Sequence, residues 1–183
     1  RLSITDVCNF RCCYCLPTGY RKSKNYGNFL SFDEIKVLID TFCSLGLEKV
    51  RLSGGEPTLR EDFFSIGKLI ASFKNVNVLA FTTNGYKLKE IAERSRYSGF
   101  TNVNVSVDSL ISSNFFSITG RDLLYNVLGG VYKSIAVGLC VKINVVLLRG
   151  FSIHDFDNFL DFVLYENISI RFIELVGTKN SIN

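Results

Sequence analysis

Alternating and helix-period runs of apolar residues follow one another along the chain in a regular order. Residues 1–7 (RLSITDV) alternate, with Leu2 and Ile4 on one side and Arg1, Ser3 and Thr5 on the other, the period of a strand. Ser31 and Glu34 form a capping-box pair. The helix they open carries Ile35, Leu38, Ile39 and Phe42 on one face, and Gly46 closes it. A second strand over 47–52 runs into Ser53-Gly54-Gly55-Glu56-Pro57. A helix over 61–72 follows, striped by Phe63, Ile66, Leu69 and Ile70, then a strand over 76–81 ending in Thr82-Thr83-Asn84-Gly85. A short helix (88–97) precedes a strand over 102–107, which ends at Asp108-Ser109. The next helix (121–137) carries Leu124, Val127, Leu128, Val131 and Ile135, and leads to a strand over 139–147. A helix over 154–166, with Phe156, Phe159, Leu160 and Val163, precedes a last strand over 169–174. Strand and helix alternate through six strands, the rhythm of an α/β fold with parallel strands and crossover helices. Both an open doubly wound sheet and a partial (β/α)6 barrel share that rhythm.

The strands themselves decide more. Parallel strands covered by helices usually read as continuous apolar runs. Here one phase is polar: Arg1/Ser3/Thr5, Lys49/Arg51/Ser53, Asn102/Asn104/Ser106/Asp108, Lys142/Asn144, and Arg171 between Ile170 and Phe172. Helices with apolar stripes must cover the apolar phase, so the polar phase faces the concave side of a curved sheet. A closed barrel packs that interior with branched apolar side chains. Bare cations there would be prohibitively desolvated unless a polar ligand filled the space. Arg1, Lys49, Arg51, Lys142 and Arg171 therefore form a candidate polyanion site, suited above all to a phosphate chain.

Composition narrows the class. A chain of 183 residues, 47% apolar, suits one domain, 1–183, with one sizeable core. No run of about 18 uncharged apolar residues predicts a membrane span. Asp6, Cys8, Asn9 and Arg11 break any signal-peptide pattern, so the expected location is the cytoplasm, or an organellar matrix. A net charge of +4 from 21 basic and 17 acidic residues is too mild and dispersed to predict a nucleic-acid partner. The sequence holds no Met, even at position 1, and reads as a fragment. Neither a dinucleotide fingerprint nor a GxxxxGK[ST] phosphate loop is present.

Chemistry concentrates near the start. Four of six cysteines, Cys8, Cys12, Cys13 and Cys15, fall within eight residues, too close together to staple distant loops. Cys43 and Cys140 stand alone in apolar surroundings and read as small buried hydrophobes. The Cys8-x3-Cys12-x2-Cys15 spacing favours a [4Fe–4S] cluster with one iron left open to a chelating ligand. Structural zinc and a thiol redox pair stay open as alternatives. Zinc prefers four ligands, and the single histidine, His154, is remote in the chain.

The three-cysteine loop, with Tyr14 just before its last cysteine, resembles the radical S-adenosylmethionine superfamily. The strings LSITDVCNFRCCYCLP, KVRLSGGEPTLR, TTNGY, NVSVDSL, ITG, VKINVVLLRG and RFIEL are similar to the GTP 3',8-cyclase family of molybdenum cofactor biosynthesis, in order and over essentially the whole chain. The resemblance implies that Cys8, Cys12 and Cys15 ligate the cluster and that S-adenosylmethionine chelates its open iron. It implies a 5'-deoxyadenosyl radical that takes hydrogen from C3' of GTP, so that C3' bonds to C8 of the guanine. Gly54, Gly55 and Glu56 would receive the methionyl amino group, Thr83 and Ser106 would contact S-adenosylmethionine, and Tyr14 would cover the cluster or the adenine. Arg1, Lys49, Arg51, Lys142 and Arg171 would hold the triphosphate. An external one-electron donor and the next enzyme of molybdopterin synthesis are the implied partners, and a homodimer is compatible with the pattern. Cys13 is an extra thiol, and Val176 stands where the family often has Met. The family's second three-cysteine site, near its C-terminus, has no counterpart in these residues, which predicts a core without complete cyclase activity. Another radical S-adenosylmethionine enzyme and a non-catalytic iron–sulfur module are the competing readings.

Overall fold

The computed structural model describes residues 1–21, 29–150 and 155–175. A six-stranded sheet runs in the order β1-β2-β3-β4-β5-β6, with every neighbouring pair parallel. The strands are β1 (Leu2–Ser3), β2 (Lys49–Ser53), β3 (Val78–Thr83), β4 (Asn102–Ser106), β5 (Cys140–Leu147) and β6 (Ile168–Glu174). The helices are α1 (Phe32–Ser44), α2 (Phe63–Ala71), α3 (Leu88–Tyr97), α4 (Ser112–Thr119), α5 (Leu124–Ala136) and α6 (Phe156–Tyr165). Strand order never reverses. Right-handed crossovers then put the connecting helices on one face, whereas a doubly wound sheet needs a switch point to use both. The sheet is therefore a partial (β/α)6 barrel, open between β6 and β1.

The capping box at α1 forms as the sequence predicts: Glu34 N–H donates to Ser31 Oγ (3.2 Å), and Ser31 N–H to Glu34 Oε2 (2.7 Å). The buried stripe is Ile35, Ile39 and Cys43, while Phe42 is half exposed, so the helix sits rotated from its predicted face. In α6 only Phe159 is fully buried; Phe156 and Leu160 remain exposed because the helix covers the edge strand β6. His154 lies outside the described residues. The predicted strand 76–81 begins two residues later and extends to Thr83. Val76 N–H still bonds Phe73 O in the turn that closes α2 (3.0 Å), and Thr82 and Thr83 pair with Asn104 and Val105. Helix α4 was not predicted; its serine-rich sequence, SSNFFSIT, hides the period, yet Phe115 and Ile118 are buried.

The core lies between the sheet and its helices. Leu52, Phe81, Val103, Val105, Ile143 and Val145 are fully buried. Phe63 of α2 stacks on Phe100 (centroids 5.0 Å apart), and Phe81 of β3 meets both edge-on at 5.4 and 4.9 Å. Gly67 lets this stack approach α2, because a Cβ there would lie 2.6 Å from the Phe100 ring. Phe81→Ala is expected to cost about 3–5 kcal/mol, as lost burial plus a cavity the stack cannot close. Urea denaturation followed by circular dichroism measures that loss as a lower midpoint.

Candidate cofactor site

The site begins where β1 ends. Beyond Ser3 the chain stops forming a regular ladder and is strapped to the loop after β2. Ile4 N–H donates to Ser53 O (2.9 Å), Gly55 N–H to Thr5 O (2.9 Å) and Glu56 N–H to Val7 O (2.7 Å). The two glycines make this contact possible. A Cβ on Gly54 would collide with the Thr5 carbonyl, and one on Gly55 with the carbonyls of Val7 and Asp6. Gly54 also has φ of 148°, a backbone region that favours glycine.

Glu56 closes the loop from within. It is fully buried, and its carboxylate accepts from Thr58 N–H (3.1 Å), Thr58 Oγ1 (2.6 Å), Thr83 Oγ1 (2.9 Å) and Asn84 N–H (2.6 Å). Burial pushes its pKa up, and these donors pull the other way. Both oxygens are thus engaged by the protein, and the hydroxyl of Thr83 is spoken for by the same carboxylate. Arg60, which the sequence reading passed over, adds a second brace. Its guanidinium pairs with Asp62 and donates to Ile4 O (2.8 Å) and Leu30 O (2.7 Å).

The cysteine loop rests on this floor. Cys15 N–H and Leu16 N–H both donate to Cys12 O (3.0 Å each), one tight turn that brings Cys12 and Cys15 together in the chain. The last turn of α4 holds the loop from the side, with Arg11 N–H on Thr119 O (3.0 Å) and Cys13 N–H on Ile118 O (2.9 Å). Arg121 donates through Nε (3.0 Å) and Nη2 (2.7 Å) to Asn9 O. Asn84 Nδ2 donates to Asn9 Oδ1 (2.8 Å) and lies 3.9 Å from Cys8 Sγ. The Tyr14 hydroxyl donates to Asp108 Oδ2 (2.7 Å), and Asp108 Oδ1 accepts from Val146 N–H (2.8 Å). Each of these anchors follows the C-terminal end of a strand, or lies near it, so the loop sits at that mouth of the barrel.

The thiols are electrostatically crowded. Burial, joined by the charges of Asp108 and the neighbouring cysteines, pushes Cys12 up to about 12. Burial also raises Cys8. Thiolates in this loop therefore require a cation to offset their repulsion. Among the described residues, no three Cys, His, Asp or Glu side chains are gathered tightly enough to share one ion. A cubane asks for a different arrangement, because each thiolate takes its own iron. Cys8, Cys12 and Cys15 supply three soft donors on one short loop, which fits that group. Cys13 is an exposed thiol beside them.

The sheet face opposite the core carries Arg51, Lys142 and Arg171. Register aligns Thr82, Asn104, Lys142 and Ser169 in one row, and Ser106, Asn144 and Arg171 in the next. Thr83 belongs to the opposite phase, beside Val105, and turns toward Glu56. Thr82 is thus the threonine on the polar face, which could be assigned only once β3 and β4 were in register. Arg51 and Lys142 are half-buried, whereas Lys49 and Arg171 are exposed. Exposed Arg1 donates from Nε to Ser53 Oγ (2.9 Å). Arg1 and Lys49 also line a cavity of about 260 Å³ at the foot of the sheet, against Leu38, Ile39 and Phe42. Arg60–Asp62 is the single ion pair among the described residues, so none of these five cations has a carboxylate partner. Buried Arg51 Nε and Asn144 Oδ1 have no hydrogen-bond partner. Orphaned polar atoms on a concave face are what a polar ligand would satisfy.

A partial barrel of six parallel strands, with three cysteines on the loop after its first strand, defines a radical S-adenosylmethionine protein. The chain belongs to the Radical SAM superfamily, whose family profile matches residues 2–163. The superfamily's cofactors are a [4Fe–4S] cluster and S-adenosylmethionine. The GTP 3',8-cyclase of Klebsiella pneumoniae (strain 342) is 48% identical over 180 residues, covering 97% of this chain and 55% of the relative. That of Mannheimia succiniciproducens is 44% identical over 179 residues, covering 97% and 53%. The chain spans about half the length of these curated relatives. Among solved structures, Streptococcus suis SuiB aligns with a TM-score of 0.78 at 19% identity, over 99% of this chain and 40% of that one. Methylornithine synthase (PylB) aligns at 0.76 and 15%, over 98% and 55%. At those identities the likeness is one of fold.

Gly55→Ala is expected to push residues 5–7 away from the loop after β2, at a cost of about 1–3 kcal/mol. The displacement carries the cysteines with it. Iron bound per chain after anaerobic reconstitution should fall, while far-ultraviolet circular dichroism stays that of a folded α/β protein.

Proposed function

We propose that the chain is the S-adenosylmethionine-binding core of a GTP 3',8-cyclase of molybdenum cofactor biosynthesis. The observation that carries this reading is 44–48% identity, over 97% of the chain, to proteins of that name. The unpaired cations of the concave face support it, because a nucleoside triphosphate is the kind of polyanion they suit. Cys8, Cys12 and Cys15 would hold the cluster. The backbone of Gly54, Gly55 and Glu56 would face the methionyl group, with the Glu56 side chain stiffening the loop from inside. Tyr14 and Ser106 would line the adenosine side, and Thr83 would act through Glu56. Arg1, Lys49, Arg51, Lys142 and Arg171 would hold the triphosphate, with Arg51 Nε as the buried donor that gains a phosphate oxygen, while Asn144 Oδ1, an acceptor, suits a ligand hydroxyl or amine. When bound, the cluster and S-adenosylmethionine supply a one-electron route to hydrogen abstraction from the ribose of GTP. The protein orients both ligands and keeps water out.

On this reading the electron comes from an external donor, and the product passes to the next enzyme of molybdopterin synthesis. We place the protein in the cytoplasm or an organellar matrix, with a homodimer as the assembly to test. No described helix is long and apolar enough to cross a membrane.

The test is anaerobic reconstitution with iron and sulfide. Expected are about four irons per chain, 5'-deoxyadenosine formed on reduction with S-adenosylmethionine, and loss of both in Cys12→Ala. In the reconstituted protein, Arg51→Ala and Lys142→Ala should each weaken GTP binding about tenfold to a hundredfold, the worth of one charge-assisted hydrogen bond. One tightly held zinc and no iron would sink the reading. Unchanged GTP affinity in both variants would remove the nucleotide from it.

A further inference from the structure

Asp108 is 3% exposed and stands just past the C-terminal end of β4. Its two oxygens serve different parts of the molecule. Oδ2 accepts from the hydroxyl of Tyr14, 94 residues away in the chain and one residue before Cys15. Oδ1 accepts from the backbone N–H of Val146 on β5, 38 residues away (2.8 Å). One carboxylate thus joins the cysteine loop, β4 and β5. No cation pairs with it, since Arg60–Asp62 is the single ion pair among the described residues.

A buried carboxylate without a counter-ion is a costly way to make a tether. An asparagine could serve the same two groups without a charge, its Oδ1 accepting from Val146 and its Nδ2 donating to the Tyr14 oxygen. The charge therefore needs an account of its own. The hydrogen bond to Tyr14, one residue before Cys15, puts Asp108 beside the cysteine loop, and its charge adds to the burial that raises Cys12. Burial pushes the Asp108 pKa up, and the two donors, Tyr14 O–H and Val146 N–H, favour its ionised form against that. An electron entering metal bound there would add negative charge beside this carboxylate, in surroundings that screen little.

We propose that Asp108 is a positioning residue with an electrostatic role. Its oxygens hold Tyr14 against the ends of β4 and β5, and its negative charge opposes electron entry at a cluster held by Cys8, Cys12 and Cys15, lowering that cluster's reduction potential. This rests on the reading of the cysteine loop as a [4Fe–4S] site. The electron itself comes from a low-potential one-electron donor outside the chain.

The test compares wild type, Asp108→Asn and Tyr14→Phe after anaerobic reconstitution. Iron per chain is measured, and midpoint potentials are read by dithionite titration in the presence of redox dyes. Asp108→Asn is expected to take up iron as the wild type does and to show a more positive midpoint. Tyr14→Phe keeps the ring and the charge, and its midpoint is expected to show no positive shift. A purely structural tether would leave the Asp108→Asn midpoint where it was, which overturns the proposal. An equal positive shift in both variants overturns it too, because the hydrogen bond and not the charge would then be responsible. Should Asp108→Asn fail to fold or load, Asp108→Glu, which keeps the charge, must load iron and hold a midpoint close to wild type; any other result counts against the assignment. A wild-type chain that takes up no iron overturns the cluster reading and this proposal together. One that loads iron while Asp108→Asn keeps its midpoint overturns only the role of Asp108.

Discussion

Everything at the mouth of the barrel depends on a backbone contact between residues 4–7 and the loop at 53–56. Three hydrogen bonds cross it, and two missing side chains permit it. Gly54 and Gly55 let carbonyls from the segment entering the cysteine loop approach within hydrogen-bonding reach of the opposite chain. Without that approach, residues 4–7 would lie farther from β2, and the cysteines that follow would lose their floor. The contact also explains why β1 is so short. After Ser3 the hydrogen bonds continue, first to Ser53 at the end of β2 and then to the loop that follows it.

Two buried carboxylates organise what surrounds that contact. Glu56 gathers donors from its own loop and from the end of β3, locking the two strand ends together. Asp108 joins the cysteine loop to β4 and β5. Each side chain lies at a strand's C-terminal end, where ladders run out and backbone groups need new partners. Arg60 and Arg121 do the complementary work as donors, capping carbonyls of Ile4, Leu30 and Asn9 that no strand satisfies. The cysteine loop is thereby held from several sides before any ligand arrives.

The pattern of polar and apolar positions made the sheet readable, because a period of two records directly which side chains share a face. Arg51, Asn104, Ser106, Lys142, Asn144 and Arg171 fall on the face their alternation predicts. The same reading failed where a short helix carried no clean stripe, as in α4, and it assigned no face to Thr82 or Thr83. The resemblance placed Glu56 with the two glycines at the methionyl group, and the structure adds that its side chain is buried among donors of the protein itself. Phe42 was placed on the apolar stripe of α1 yet is half exposed, while Cys43, expected to be buried, completes that stripe.

The sequence by itself determined the local chemistry: the Cys8-x3-Cys12-x2-Cys15 spacing, the strand–helix rhythm, and the polar phase of the strands. These are properties of neighbours a few residues apart, which chain geometry alone relates. Only the tertiary structure decided the strand order without a switch, the turn of Thr83 toward Glu56, and the meeting of Tyr14 with Asp108 and of Arg121 with Asn9. Those contacts join residues 27 to 112 positions apart, and nothing local encodes their distance. The three-cysteine loop was legible at once, whereas the set of groups that hold it in place became visible only when the sheet had brought its strand ends together.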